Sequence, residues 1–300
     1  MYSGPIIDAH THLWDLSMSK HPWLSPTGGS VQALGGLEKL RRDFVVEDYL
    51  RDCCNQPVVA TVHIEALWDP KEPLGETEWL DTLDKSRGVA VRYTASAPFG
   101  TPEAADILER QAAHERVAGV RDILSFHPTA SAKSFAARPD KAYDPAWRQD
   151  IARLQRLGLM LELMMYPYQL DAVLDVARSF PGLQIIVNHC ASPIDRDEEG
   201  MQRWHDAVRA LAQEPNIALK VSNATGYDPQ PTYESVRAVM RHCIDCFGTQ
   251  RSIIATDWPV ARLATTYDEI WDQARRLTAD LSEGEQRALF HDNAKRLYRI

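Results

Sequence analysis

The sequence has no run of 18 apolar residues, so no membrane-spanning helix is expected. Its beginning lacks a basic stretch leading into an apolar one, and no secretory leader is expected. Cysteine is scarce, with five in 300 residues, which excludes a disulfide-built scaffold. Cys243 and Cys246 are spaced like half a zinc site, but no second pair completes it. They lie in an apolar helical stretch and read as buried thiols, in keeping with a reducing cytoplasm. Positive charge is also in deficit. A net charge of −9 argues against nucleic acid or an anionic membrane as the main partner. It leaves an anionic small molecule open, because local arginines can set the field of a pocket. Low-complexity tracts, short repeats and linkers are missing too, so the 300 residues are expected to form one domain. No Gly-x-Gly-x-x-Gly follows the first apolar segment, which counts against a dinucleotide-binding sheet.

What is present is alternation. Eight apolar, strand-like runs begin near Ile6, Val58, Val89, Ala118, Leu159, Leu183, Ile217 and Ser252. Amphipathic or capped segments follow them. Asp144-Pro145 opens one helix and Thr101-Pro102 is expected to open another, each a cap followed by proline. Thr266 with Glu269, and Ser282 with Glu285, are capping boxes. Strand and helix in alternation imply a parallel sheet, and eight units in a chain of this length imply a closed (β/α)8 TIM barrel. Two long irregular segments interrupt the pattern, Leu13–Asp43 and Ser125–Tyr143. The first, rich in Trp, Pro and Gly, reads as an ordered lid, and both are expected to set specificity.

In such barrels the chemistry sits at the carboxyl ends of the strands. His10 and His12 end the first run and, two apart on a strand, share a face about 6–7 Å apart. Asp8 is expected on that same face, one step deeper, where it would orient a histidine or bond to backbone. His63 and Glu65 end the second run, Arg121 lies in the fourth, Glu162 in the fifth, His189 follows the sixth and Asp257 the eighth. Glu162 sits in an apolar run and needs a partner, either Arg121 or a substrate hydroxyl. Lys220 on the seventh run either meets substrate or balances a barrel carboxylate. Trp14 and Trp258, with Trp23 and Trp68, are candidates for the pocket floor or for packing. Two histidines and an aspartate, His10, His12 and Asp257, are a set that can hold one divalent ion such as Zn2+. No organic cofactor is implied.

These residues carry a resemblance. Ile7-Asp8-Ala9-His10-Thr11-His12-Leu13-Trp14, Pro22-Trp23-Leu24, Gly119-Val120-Arg121-Asp122-Ile123-Leu124, Asn188-His189-Cys190-Ala191-Ser192-Pro193 and Ala255-Thr256-Asp257-Trp258-Pro259-Val260 look like the motifs of the amidohydrolase superfamily. The resemblance is to its lactonase branch, which holds L-fuconolactonases and 2-pyrone-4,6-dicarboxylate lactonases. It implies a hydrolase that opens the ring of a sugar acid lactone or a carboxylated lactone. Asp257 then activates water, and His10, His12 and His189 line the reacting carbonyl. Arg121 faces the substrate, with His63, Glu65, Glu162, Trp14 and Trp258 as further candidate contacts. The resemblance also implies that the reaction can proceed without metal. Zinc-using relatives carry a histidine or a modified lysine on strand five, where this chain has Glu162. The rival readings are a zinc-dependent decarboxylase or amide hydrolase on the same barrel, and a barrel without activity. The expected partner is a small lactone, and self-association into a homo-oligomer is left open.

Overall fold

The computed structural model describes residues 2–25 and 36–300. Eight strands form one sheet in the order β1 to β8, every neighbouring pair parallel. They are β1 (Ile6–Thr11), β2 (Val58–Ile64), β3 (Arg92–Ser96), β4 (Val117–Ile123), β5 (Met160–Met164), β6 (Ile185–Val187), β7 (Ile217–Val221) and β8 (Ser252–Ile254). A helix follows each: α1 (Val46–Asp52), α2 (Gly75–Thr82), α3 (Ala104–Ala113), α4 (Pro145–Leu157), α5 (Leu170–Ser179), α6 (Glu198–Leu211), α7 (Tyr233–Phe247) and α8 (Tyr267–Leu277). Two short helices, α9 (Glu283–Arg287) and α10 (Asn293–Tyr298), end the chain around a π-helical turn. Ala294, Leu297 and Tyr298 of α10 pack with Ile7, Ala60, Met160, Ile186, Ala218 and Ile253, which plugs the amino-terminal end of the barrel. Among the described residues no helix is long and apolar enough to cross a membrane.

Cap chemistry explains several helix boundaries. The Asp144 carboxylate accepts from the Ala146 amide, Pro145 starts α4, and Gly158 ends it with φ of 70°. The boxes at Thr266 and Ser282 form as expected. Thr101-Pro102 does not cap α3. Those residues lie in turns closed by Thr101 N to Pro98 O (3.2 Å) and Ala104 N to Thr101 O (3.2 Å), and the helix starts after Glu103.

The barrel closes where the exit of β8 meets β1. The His12 amide donates to the Trp258 carbonyl at 2.8 Å, and the Asp257 amide donates to the His10 carbonyl at 2.9 Å. On its other side, against β2, the first strand is irregular after Asp8. Asp8 pairs with Thr61 and Thr11 with His63, so β1 spends one more residue than β2 over the same step. Such a bulge re-aims the side chains beyond it. Asp8 therefore does not share the histidine face. It turns to the helix layer, where Thr256 Oγ1 (2.6 Å), Thr256 N (3.0 Å), Tyr267 OH (3.1 Å) and Tyr49 OH (3.3 Å) donate to it. Burial raises its carboxyl to about 6 against those donors.

The lid expected over Leu13–Asp43 is pinned at both ends by Trp14 and Phe44, which exchange backbone bonds of 2.9 Å. Its Pro26, Gly28, Gly29 and Gly35 lie outside the described residues.

Inside the barrel Glu162 is fully buried, and so is Lys220, 2.6 Å from it. Thr94 (2.7 Å), Tyr298 (2.6 Å) and Asn188 (2.8 Å) donate to the remaining acceptor positions of the carboxylate. Burial opposes the charge, but Lys220 and these donors outweigh it and hold Glu162 below the usual carboxylate range. Removing one partner strands the other charge in the barrel. Lys220→Met is expected to lower the unfolding free energy by about 3–5 kcal/mol in urea denaturation. A loss under about 1 kcal/mol would mean that the pair is not buried as described.

Candidate active site

Residues 10, 12, 189 and 257 meet at the carboxyl ends of the strands. Asp257 Oδ1 lies 3.1 Å from His12 Nε2 and 3.4 Å from His10 Nε2, and its Oδ2 lies 3.9 Å from His189 Nε2. All four side chains are buried. Asn223 Nδ2 donates to Asp257 Oδ2 at 2.7 Å and so turns Oδ1 toward the first-strand imidazoles.

Local backbone explains the aim of each group. Asp257 has φ of 64°, a left-handed conformation that costs a non-glycine residue about 1–2 kcal/mol. The seam bonds on either side hold it there. His189, Cys190, Ala191 and Ser192 form a left-handed turn, with φ between 48° and 55°. Trp204 Nε1 anchors that turn through the Cys190 carbonyl at 2.7 Å, and Ser222 Oγ lies 3.0 Å from His189 Nδ1. Small side chains after the histidine let the turn fit in the core, which is the physical content of the Asn-His-Cys-Ala-Ser-Pro segment.

The donor pattern fixes part of the chemistry. His12 Nδ1 donates to the Ile64 carbonyl at 2.7 Å, so neutral His12 presents a lone pair at Nε2 to the Asp257 carboxylate. A proton or a cation belongs between two such acceptors. His10 Nε2 has no hydrogen-bond partner among the described residues, and its Nδ1 lies 3.4 Å from Lys220 Nζ. His10 Nε2, His12 Nε2 and an Asp257 oxygen lie within 4.8 Å of one another, and these residues fit a divalent ion with an open position. Strand five adds no ligand, because the four donors on Glu162 occupy it.

Arg121 is the cation of the cavity. Its Nε donates to Glu65 Oε1 at 2.6 Å and its Nη2 to the Glu65 carbonyl at 2.7 Å. Among the described residues its Nη1 makes no hydrogen bond, and the side chain lines the chamber above Asp257. Glu65 is thus the anchor of Arg121, its second oxygen taken by the Leu67 amide at 2.9 Å. Burial opposes its charge, and Arg121 outweighs that and lowers its carboxyl.

Several expected contacts are not brought to the chamber. His63 points to α2, its Nε2 2.9 Å from Glu76 and its Nδ1 accepting from the Leu13 amide at 3.2 Å. Glu162 pairs with Lys220 and not with Arg121, although β4 and β5 set Arg121 beside Glu162, because the Arg121 guanidinium is bonded to Glu65. That pairing also takes Lys220 away from the substrate chamber. Trp14 Nε1 donates to the Arg42 carbonyl at 2.7 Å, and Trp258 Nε1 to Asp52 at 2.8 Å, so both are packing residues outside the chamber wall. Trp23 does line it, and so do Tyr227, Asn223, Phe135 and Met164. Asn223 follows β7 (Ile217–Val221) directly, at the rim. Phe135 and Tyr227 come from irregular segments whose course no periodicity predicts. Cys243 is a buried thiol as expected, and Cys246 is half-buried.

Burial pulls His189 down to about 4 against the attraction of Asp257, and pulls His10 well below the usual imidazole range with the help of Lys220. Both are neutral near pH 7. The unfolded chain takes up protons near pH 6.5 and the folded chain does not, so their contribution to stability is lost as pH falls from 6.5 toward 4. In metal-free protein the His189 ring signals in NMR are expected to stay unchanged from pH 8 to about 5.5. A midpoint near 6.5 would show that the ring is solvated.

The amidohydrolase family matches residues 7–300. A Sinorhizobium fredii protein, y4mH, is 36% identical over 295 residues, covering 98% of both chains. A Burkholderia ambifaria L-fucono-1,5-lactonase is 28% identical over 300 residues, covering 98% of this chain and 95% of its own. A crystal structure of a Burkholderia multivorans amidohydrolase with bound zinc has a TM-score of 0.80 at 23% identity, covering 99% of this chain and all of that one. The shared barrel and the match over nearly the whole chain show that this protein belongs to the amidohydrolase family.

Proposed function

We propose that this chain hydrolyses a lactone. The observation that carries the reading is the contact of the Asp257 carboxylate with three imidazoles, within 3.9 Å, at the floor of a chamber whose wall includes Arg121. The lactonase name of the relative at 28% identity agrees with it.

Asp257 takes a proton from water as the water oxygen bonds to the lactone carbonyl carbon. The negative charge moves to the carbonyl oxygen. His189, with Ser222 donating to its Nδ1, presents Nε2–H toward the chamber, and Arg121 presents Nη1. Fixed donors of this kind lower the barrier by a few kcal/mol each. Collapse of the oxyanion breaks the ring C–O bond. The leaving alkoxide takes the proton from Asp257, which yields a hydroxy acid and restores the carboxylate. Asn223 keeps Asp257 in line, and Glu65 keeps Arg121 in place. A divalent ion such as Zn2+ bound by His10, His12 and Asp257 would supply Lewis-acid polarisation of the water or the carbonyl.

Asp257→Asn is expected to lower kcat about 100-fold or more on a lactone substrate, with far-UV circular dichroism and Tm preserved. Turnover near the parent level would overturn the assignment. Equilibrium dialysis of the parent protein against Zn2+ is expected to find about one ion per chain, with the ion lost in His12→Ala. Equal binding by both proteins would place the ion elsewhere.

A further inference from the structure

The wall of the reaction chamber bears on which lactone enters. The chamber is small, about 60 Å³, and its lining is mostly apolar, with Trp23, Leu67, Ile123, Phe135, Met164 and Val260 among the side chains. Its polar groups are largely committed. Asn223 Nδ2 is spent on Asp257, and two of the Arg121 nitrogens are spent on Glu65. Besides the reacting constellation, in which Arg121 Nη1 serves the carbonyl oxygen, that leaves the Tyr227 hydroxyl and Asn223 Oδ1. A polyhydroxylated ring would bury several hydroxyls here with too few partners, and each unpaired one opposes binding.

The chamber adjoins a vestibule of about 600 Å³. Trp23, Leu67, Arg121, Ile123 and Phe135 line both, so the two are neighbours across Arg121. The vestibule is walled by Trp68, Phe99, Pro70, Pro73 and Pro98, flat and rigid apolar surfaces. Its charges neutralise each other: Lys141 bonds Asp122 at 2.6 Å, and Arg138 bonds Asp144. A second groove, on the Tyr227 side, has its charged groups likewise paired, Asp195 with His127 (3.0 Å) and Lys133 (3.3 Å), and Arg196 with Asp228 (3.0 Å). It shares only Asn223, Tyr227 and Val260 with the chamber.

We infer that the substrate is a lactone bearing an apolar alkyl or aryl substituent, which runs from the ring past Arg121 into the Trp- and Pro-lined vestibule. Arg121 Nη1 meets one oxygen near the ring. Polyhydroxylated aldonolactones are poor substrates for this chain. The inference rests on the lactonase reading and narrows it.

The test is kcat/KM on δ-valerolactone, on δ-lactones with side chains lengthened one methylene at a time, on dihydrocoumarin, and on L-fucono-1,5-lactone. The expected result is a rise of about threefold to fourfold per methylene. The alkyl and aryl lactones are then expected to exceed the aldonolactone at least 100-fold. Ala97→Asp, which sets a charge in the half-exposed vestibule wall, is expected to flatten the chain-length slope, and Trp68→Ser to do the same. An aldonolactone preferred over the apolar series, or no slope with chain length, would overturn the inference while leaving lactone hydrolysis standing. Failure to open any of these rings would overturn the lactonase reading itself, and the inference with it.

Discussion

The seam between the first and last strands is the constraint on which the site depends. Two backbone bonds, from His12 to Trp258 and from Asp257 to His10, close the barrel and also fix the φ of 64° at Asp257. The carboxylate is thereby set against histidines almost 250 residues away in sequence. Neither end of the chain can hold this geometry alone. Closure is the structural event and the assembly of the site follows from it, so the residues that support closure also support chemistry. The buried Asp8 is one of them. It ties Thr256 of the last segment to Tyr49 and Tyr267 in the helix layer.

A second layer of control is electrostatic. Burial keeps His10 and His189 neutral, which suits donors and ligands better than fixed cations. The positive charges are instead held by carboxylates, Arg121 by Glu65 and Lys220 by Glu162. Each pair has a direction. The first faces the substrate chamber, whereas the second faces the plug at the other end through Tyr298. A barrel that buries this many ionisable groups stays folded because nearly every charge has a partner and further donors.

The strands and several helix ends were legible because buried parallel strands write themselves as apolar runs and because caps have a local chemistry. The convergence of His10, His12, His189 and Asp257 was legible for the same reason, since strand ends in a barrel share one rim. Other features were not local. The bulge after Asp8 inserts one residue, and a period of two cannot foresee it, so Asp8 falls on the opposite side from the histidines. The choice of Lys220 over Arg121 by Glu162 depends on Glu65, which follows a different strand and takes the guanidinium. Phe135, Met164 and Tyr227 carry no chemical signature that separates a chamber wall from ordinary core, and only the tertiary fold brings them there. The histidine after β6 is aimed by a left-handed turn that no propensity favours. It exists because the packing of Trp204 and the β7 exit over-determines it.

Amide hydrogen exchange at His12 and Asp257, read against a core amide such as Leu219 in β7, tests the seam most directly. The account predicts that the two seam amides exchange only as slowly as the barrel unfolds, matching Leu219. Exchange at either one several orders of magnitude faster than at Leu219 would show a seam that opens on its own. The claim that closure of the sheet holds Asp257 against its histidines would then be wrong.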